Sequence, residues 1–157
     1  SSSGVTATGA KAVTPDELGT AWDGRRLSGK VRVLVNDELL GELDAGTDMQ
    51  FDFPKLIAHA AKTRPLACGT VLGSGTISNS GHAGGFGCLA ERRAMRSLKG
   101  EEPGPWLRFG DRIRIEMLDG AGKSMFGAIE QAVVQYPVPR RAVDVLRQEG
   151  AEGTAEG

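Results

Sequence analysis

Hydrophobic and polar residues alternate along several stretches of the chain, and this period of two is typical of β-strands. Residues 30–43 form one such stretch, interrupted by turn-forming residues, and they predict a hairpin. Residues 112–118 place apolar side chains on one face and charged side chains on the other. Residues 124–136 return as one or two strands with a bulge at Gly127. With a further short strand expected at 70–72, about five to seven strands are predicted.

Three other stretches have features of helices. Residues 53–61 have apolar side chains at helical spacing, and Pro65 ends this helix. Residues 14–18 combine a capping box with a proline at the first helical position, which predicts a short helix. Residues 89–98 predict a helix whose solvent side carries Arg92, Arg93 and Arg96. Strands and helices do not alternate regularly, so we expect a mainly β, α+β fold with a mostly antiparallel sheet, roll or sandwich.

Composition limits the function classes. The chain has 157 residues, about one domain, and a net charge of −1, which gives no electrostatic footprint for nucleic acid or an anionic membrane surface. No apolar run is long enough for a membrane helix. The two cysteines form no disulfide framework or zinc pattern, and the first residues do not resemble a signal peptide. We therefore expect a cytoplasmic protein that binds neither nucleic acid nor membrane.

Glycine is enriched to 23 residues and clusters most densely between residues 73 and 87. Such a stretch lets the backbone approach a small ligand and present N–H groups to it; the alternative is a long surface loop. Thr76 and Ser78 are candidate hydrogen-bond donors to a substrate oxygen, or turn residues. Residues 85–90 match a dinucleotide fingerprint, but no strand precedes them, so a nucleotide site is not favoured.

Six other positions carry candidate chemistry. Glu91, at the start of the third predicted helix, either stabilises the helix N-terminus or orients a histidine base or a metal-bound water. His82 lies in the glycine-rich stretch and is a weaker ligand candidate, whereas Cys88 is expected to be a small buried residue. The aspartates at 44, 48 and 52 do not match a calcium loop and indicate solvated turn and helix-start charges.

Several blocks together resemble the fumarylacetoacetate hydrolase family. They are the TPDEL segment at 14–18, the segment 44–58, the SGT and FGCLAE segments within 73–91, and the segment 107–116. The similarity runs from about Val13 to Val134.

The resemblance implies a mixed β-sandwich roll, usually dimeric, that binds Mg²⁺, Mn²⁺ or Ca²⁺ through aspartate and glutamate. It implies hydrolysis of a carbon–carbon bond in a β-diketone acid, a fumarylacetoacetate-like or acylpyruvate-like substrate of aromatic compound or tyrosine degradation. A His–Glu pair would activate the attacking water. By position in the motifs, Thr76 would contact substrate, Gly75 would allow close backbone approach, and Glu91 would orient the histidine base.

The chain departs from the family pattern at its beginning. In the family, the catalytic histidine, the acidic metal ligands and a site lysine lie upstream of the TPDEL segment, and only thirteen residues precede Thr14 here. We therefore expect 13–139 to be the C-terminal part of a catalytic domain, with a flexible segment at 1–12 and a short helix and disordered tail at 140–157. An upstream half would supply the metal site and the base. The alternatives are an inactive truncated domain, or an isomerase, decarboxylase or dehydratase of the same family.

Overall fold

Residues 11–136 are described by the structure, a computed structural model. The short helix and tail predicted at 140–157 lie outside these residues, as does nearly all of the segment predicted to be flexible at 1–12. The helices are α1 (Pro15–Leu18), α2 (Phe53–Ala60) and α3 (Leu89–Leu98), and the strands are β1 (Lys30–Val35), β2 (Glu38–Asp44), β3 (Arg112–Leu118) and β4 (Ser124–Ala132). No helix in this range is long and apolar enough to cross a membrane.

The four strands form one antiparallel sheet in the order β2-β1-β3-β4. β1 and β2 are joined by Asn36 and Asp37, both with positive φ, as a tight two-residue hairpin turn requires. β3 then pairs with the other edge of β1, and β4 returns along β3. The register of β3 and β4 shifts near Gly127, whose φ is +82°, so the predicted bulge is confirmed.

The two faces of the sheet differ in polarity, as the alternating pattern predicts. Val33 lies opposite Ile115 on the apolar face. On the other face, ion pairs link residues of neighbouring strands. These pairs are Lys30–Asp44, Arg32–Glu42 and Arg114–Glu130. A mainly β, α+β fold is thereby confirmed.

The buried apolar residues lie at the β1–β2 side of the sheet. Among the described residues, Val33, Leu40 and Leu43 are the buried hydrophobic ones, and Leu43 is only 1% exposed. Leu40 is the extra residue where the β1–β2 register shifts between Val33 and Leu34. The backbone of the glycine-rich segment lies against the Leu43 side chain, near Gly84 and Gly87. The core is therefore completed by that segment.

The structure differs from the prediction in the strand expected at 70–72 and in the end of α2. Within residues 11–136 there are four strands, and 70–72 is not one of them. Val71 is 92% exposed and lies between two glycines, so neither burial nor a backbone partner favours a strand there. α2 ends at Ala60, five residues before Pro65, and turn residues follow it.

The arginine face of α3 was also predicted wrongly. The guanidinium of Arg93 lies 4.3 Å from the centre of the Trp106 ring, and Arg96 Nε lies 3.3 Å from Glu101 Oε2. Leu98, in contrast, is 81% exposed. The chain after α3 turns back along its arginine side, where cation–π and ionic contacts partly cover the arginines. Helical periodicity defines the faces of α3 but not which face is covered.

We predict that Leu43→Ala lowers the free energy of unfolding by about 3 kcal/mol, because it removes a fully buried side chain and leaves a cavity. Leu39→Ala is the matched control on the same strand, since Leu39 is 60% exposed, and it should cost about 0.5 kcal/mol or less. Urea unfolding followed by circular dichroism measures both. Equal effects of the two substitutions would show that Leu43 is not part of the core.

Asp52 joins the start of α2 to the preceding loop. Its carboxylate is buried, accepts the backbone N–H of Lys55 at 3.0 Å and accepts Nε of Arg25 at 2.9 Å. The hydrogen bonds from Arg25 and then from Lys55 hold the pKa of Asp52 below its ordinary value. The ionised form is thus stabilised by folding.

Because the pKa of Asp52 is lowered in the folded state, its carboxylate stabilises the fold at pH values above the ordinary aspartate pKa. This contribution is lost as the pH falls through the pKa that Asp52 has in the folded protein. We predict that the wild-type protein loses more stability on acidification than Asp52→Asn does. Unfolding midpoints measured from neutral pH down to pH 3 would check this. Parallel curves for the two proteins would contradict the assignment.

Candidate active site

A cleft of about 340 Å³ lies between the loop that precedes α2 and the segment 74–78. Hydroxyl-bearing residues, Thr47, Ser74, Thr76 and Ser78, contribute to its lining. Apolar residues, among them Leu27, Phe53, Leu56 and Met117, form much of the rest. A few polar groups within an apolar cleft of this size are typical of a small-molecule site.

Two of the predicted substrate-binding residues, Thr76 and Gly75, line this cleft. Gly75 has φ +88°, in a region that side chains with a Cβ rarely adopt. A Cβ at this position would meet no atom within 4 Å. Backbone conformation, rather than close packing among the described residues, therefore explains why glycine stands there.

The glycine-rich segment is attached to the outer edge of β2 by backbone hydrogen bonds. The N–H of Glu42 donates to the carbonyl of Gly84 at 2.7 Å, and the N–H of Phe86 donates to the carbonyl of Leu40 at 3.1 Å. A Cβ on Gly41 would lie 2.5 Å from the carbonyl oxygen of Phe86, so only glycine permits this approach. The segment thus covers an edge that would otherwise be open.

Side chains extend the attachment upstream along the segment. The Asn79 amide accepts the N–H of Asp44 at 2.8 Å and donates to its carbonyl at 3.0 Å, as a neighbouring strand would. The Asp48 carboxylate accepts the N–H of Ser80 at 2.8 Å. Contrary to the prediction of merely solvated charges, the Asp48 side chain binds the segment that carries the candidate site. The Asp44 carboxylate pairs with Lys30 on the sheet.

Glu91 lies in the first turn of α3 and is half-buried. Its Oε1 accepts a 2.5 Å hydrogen bond from the hydroxyl of Ser78, which itself lines the cleft. One hydrogen bond therefore connects the Glu91 carboxylate to the cleft wall. Cys88, the N-cap of α3, was expected to be buried; it is partly exposed and makes no side-chain capping bond.

His82 lies beside the same carboxylate. Its Nδ1 is 3.6 Å from Glu91 Oε1, and its ring packs against Phe86 with 5.3 Å between ring centroids. The family motifs do not indicate that a histidine lies beside Glu91 in this loop, because they place the family's histidine upstream of Thr14. No spacing signal marks it either, since the contact depends on how the loop folds back.

A model of the fumarylacetoacetate hydrolase C-terminal domain matches residues 1–134. The chain belongs to the fumarylacetoacetate hydrolase family. Among curated proteins, no match to the chain was found. The family shown by this match is the one that the motifs indicate, and the family includes enzymes.

Members of the family commonly use a divalent metal, and such an ion needs several oxygen or nitrogen ligands placed together. Within residues 11–136, no group of three or more His, Cys, Asp or Glu side chains is placed to hold a metal. The carboxylates nearest the cleft have protein partners: Asp48 binds the Ser80 amide and Glu91 binds the Ser78 hydroxyl. This part of the chain alone does not fit the metal.

We predict that Gly87→Ala disrupts the site, because a Cβ there would overlap the carbonyl oxygen of Ile77. Overpacking of this kind costs about 2 kcal/mol and would displace the start of α3. Gly73→Ala is the control within the same stretch, since a Cβ at Gly73 meets no atom within 4 Å and its φ is not positive. Thermal unfolding should separate the two variants, and equal midpoints would contradict the close approach.

Proposed function

We propose that this chain supplies the substrate-contacting wall and the catalytic glutamate of a carbon–carbon bond hydrolase acting on a β-diketone acid. The substrate class is a fumarylacetoacetate-like or acylpyruvate-like keto acid. The observation that carries the proposal is the hydrogen bond between Ser78 and Glu91. It joins the carboxylate to the wall on which Thr76 and Gly75 lie.

The lining of the cleft supports this substrate class. A β-diketone acid has oxygen atoms along one part of the molecule and an acyl or alkyl group at the end. Hydroxyl groups such as that of Thr76 would bind the oxygens, and apolar residues such as Phe53 and Leu56 would contact the acyl end. The volume of about 340 Å³ is in the usual range for small ligands.

Glu91 would act through a histidine base. A carboxylate that accepts one ring N–H of an imidazole leaves the other ring nitrogen to take a proton from water. That water attacks a carbonyl carbon while the base takes its proton. The bond to the adjacent carbon then breaks, and its electron pair leaves with that carbon as an enolate. The enolate takes up the proton from the base, so that a carboxylic acid and a ketone form. We assign the base and the ligands of the Mg²⁺, Mn²⁺ or Ca²⁺ ion to an upstream segment of the same enzyme, which we expect to be a homodimer.

We predict that Glu91→Gln lowers kcat by about 100-fold in the intact enzyme, because the amide no longer orients and stabilises the protonated base. KM should change little, and circular dichroism should show a retained fold. Glu102→Gln, at an exposed position outside the cleft lining, is the matched control and should leave turnover unchanged.

The measurement is hydrolysis of acylpyruvates and fumarylacetoacetate by the intact enzyme with added divalent metal. Unchanged turnover in Glu91→Gln would overturn the role of Glu91. Turnover of related keto acids by isomerisation, decarboxylation or dehydration, without hydrolysis of any β-diketone acid, would overturn the proposed reaction.

A further inference from the structure

The Nδ1 atom of His82 is buried and makes no hydrogen bond within the described residues. A buried polar atom without a partner is unfavourable by about 1–3 kcal/mol and calls for an explanation. Oε1 of Glu91 lies 3.6 Å from this nitrogen. An approach of about 0.7 Å would make it an ordinary N–H···O hydrogen bond.

The backbone of His82 is also in a conformation that is uncommon outside glycine. Its φ is +54°, in the left-handed region, which non-glycine residues adopt infrequently and in which histidine, asparagine and aspartate are enriched. Gly81 before it also has positive φ, and the imidazole packs against Phe86. The loop therefore holds the ring beside Glu91 in a backbone conformation that non-glycine residues adopt infrequently.

Glu91 is available for a second hydrogen bond. A glutamate at the third position of a helix commonly folds back to cap the helix N-terminus. Here the carboxylate instead accepts the Ser78 hydroxyl, and Cys88 at the N-cap offers no side-chain bond in return. A carboxylate oxygen has two acceptor sites, so Oε1 can accept from Ser78 and His82 together.

We propose that His82 is a positioning residue for Glu91. Its imidazole carries the ring hydrogen on Nδ1, and this N–H donates a hydrogen bond to Oε1 of Glu91. The carboxylate would then be held by two donors, Ser78 and His82, both from the glycine-rich stretch. The catalytic meaning of this arrangement rests on the proposed function. A carboxylate held in one orientation is ready to receive an incoming base without rearrangement, which lowers the reaction barrier.

The tautomer of His82 tests the proposal without any turnover assay. The chain contains two histidines, so a protein labelled with ¹⁵N-histidine gives two sets of ring signals. His59, on the exposed side of α2, is the internal control. At a pH where the rings are neutral, long-range ¹H–¹⁵N spectra should show the Nδ1–H tautomer for His82. Glu91→Leu, which removes the acceptor, should shift only His82 towards Nε2–H.

An Nε2–H tautomer for His82 in the wild-type protein would overturn the proposal, and this result needs no variant to fold. An Nδ1–H tautomer that persists unchanged in folded Glu91→Leu, which has no side-chain acceptor at this position, would overturn it as well. Because neither result depends on activity, failure of the proposed hydrolase function would leave this test intact.

Two substitutions of His82, to asparagine and to aspartate, introduce side chains of nearly the same shape. They distinguish a role in positioning Glu91 from a role in packing alone. His82→Asn tolerates positive φ and keeps an N–H donor, whereas His82→Asp tolerates the same φ but presents a negative charge to Glu91. In the intact hydrolase, kcat of His82→Asp should be about tenfold below that of His82→Asn, with similar KM. Equal kcat values in the two folded variants would show that His82 does not act through Glu91.

Discussion

The backbone pairing between the glycine-rich segment and the outer edge of β2 determines where every candidate site residue lies. Two hydrogen bonds, at Gly84 and Phe86, attach the segment to the strand, and the Asn79 amide continues the attachment. The approach is possible because Gly41 and Gly84 have no side chains where the two backbones meet. A side chain at either position would separate the segment from the sheet.

This attachment fixes the glycine-rich segment to the edge of the sheet. The strand edge holds one end of the segment, and α3 begins shortly after it. Ser78 and Glu91 are thirteen residues apart, yet their side chains meet because both ends of the intervening loop are held. In many enzymes the binding residues lie on loops that a sheet holds in place. The same arrangement here fixes the relative positions of the candidate site residues.

The parts of the fold that depend on local pattern could be predicted. Alternation predicted both hairpin strands and the strand at 112–118, because each strand has one apolar and one charged face. The bulge at Gly127 followed from glycine in a strand. The error at 70–72 and the partly covered arginine face of α3 have one cause: whether a segment is paired or covered depends on parts of the chain that are distant in sequence.

For the candidate site, the sequence by itself determined the residue types and their order. The family motifs single out Gly75, Thr76 and Glu91, and the clustered glycines indicate a close backbone approach. Only the tertiary structure decided that Asp48 anchors the loop and that His82 lies beside Glu91. These contacts arise when a loop closes onto a strand edge, and hydrophobic periodicity carries no information about which polar side chains then meet.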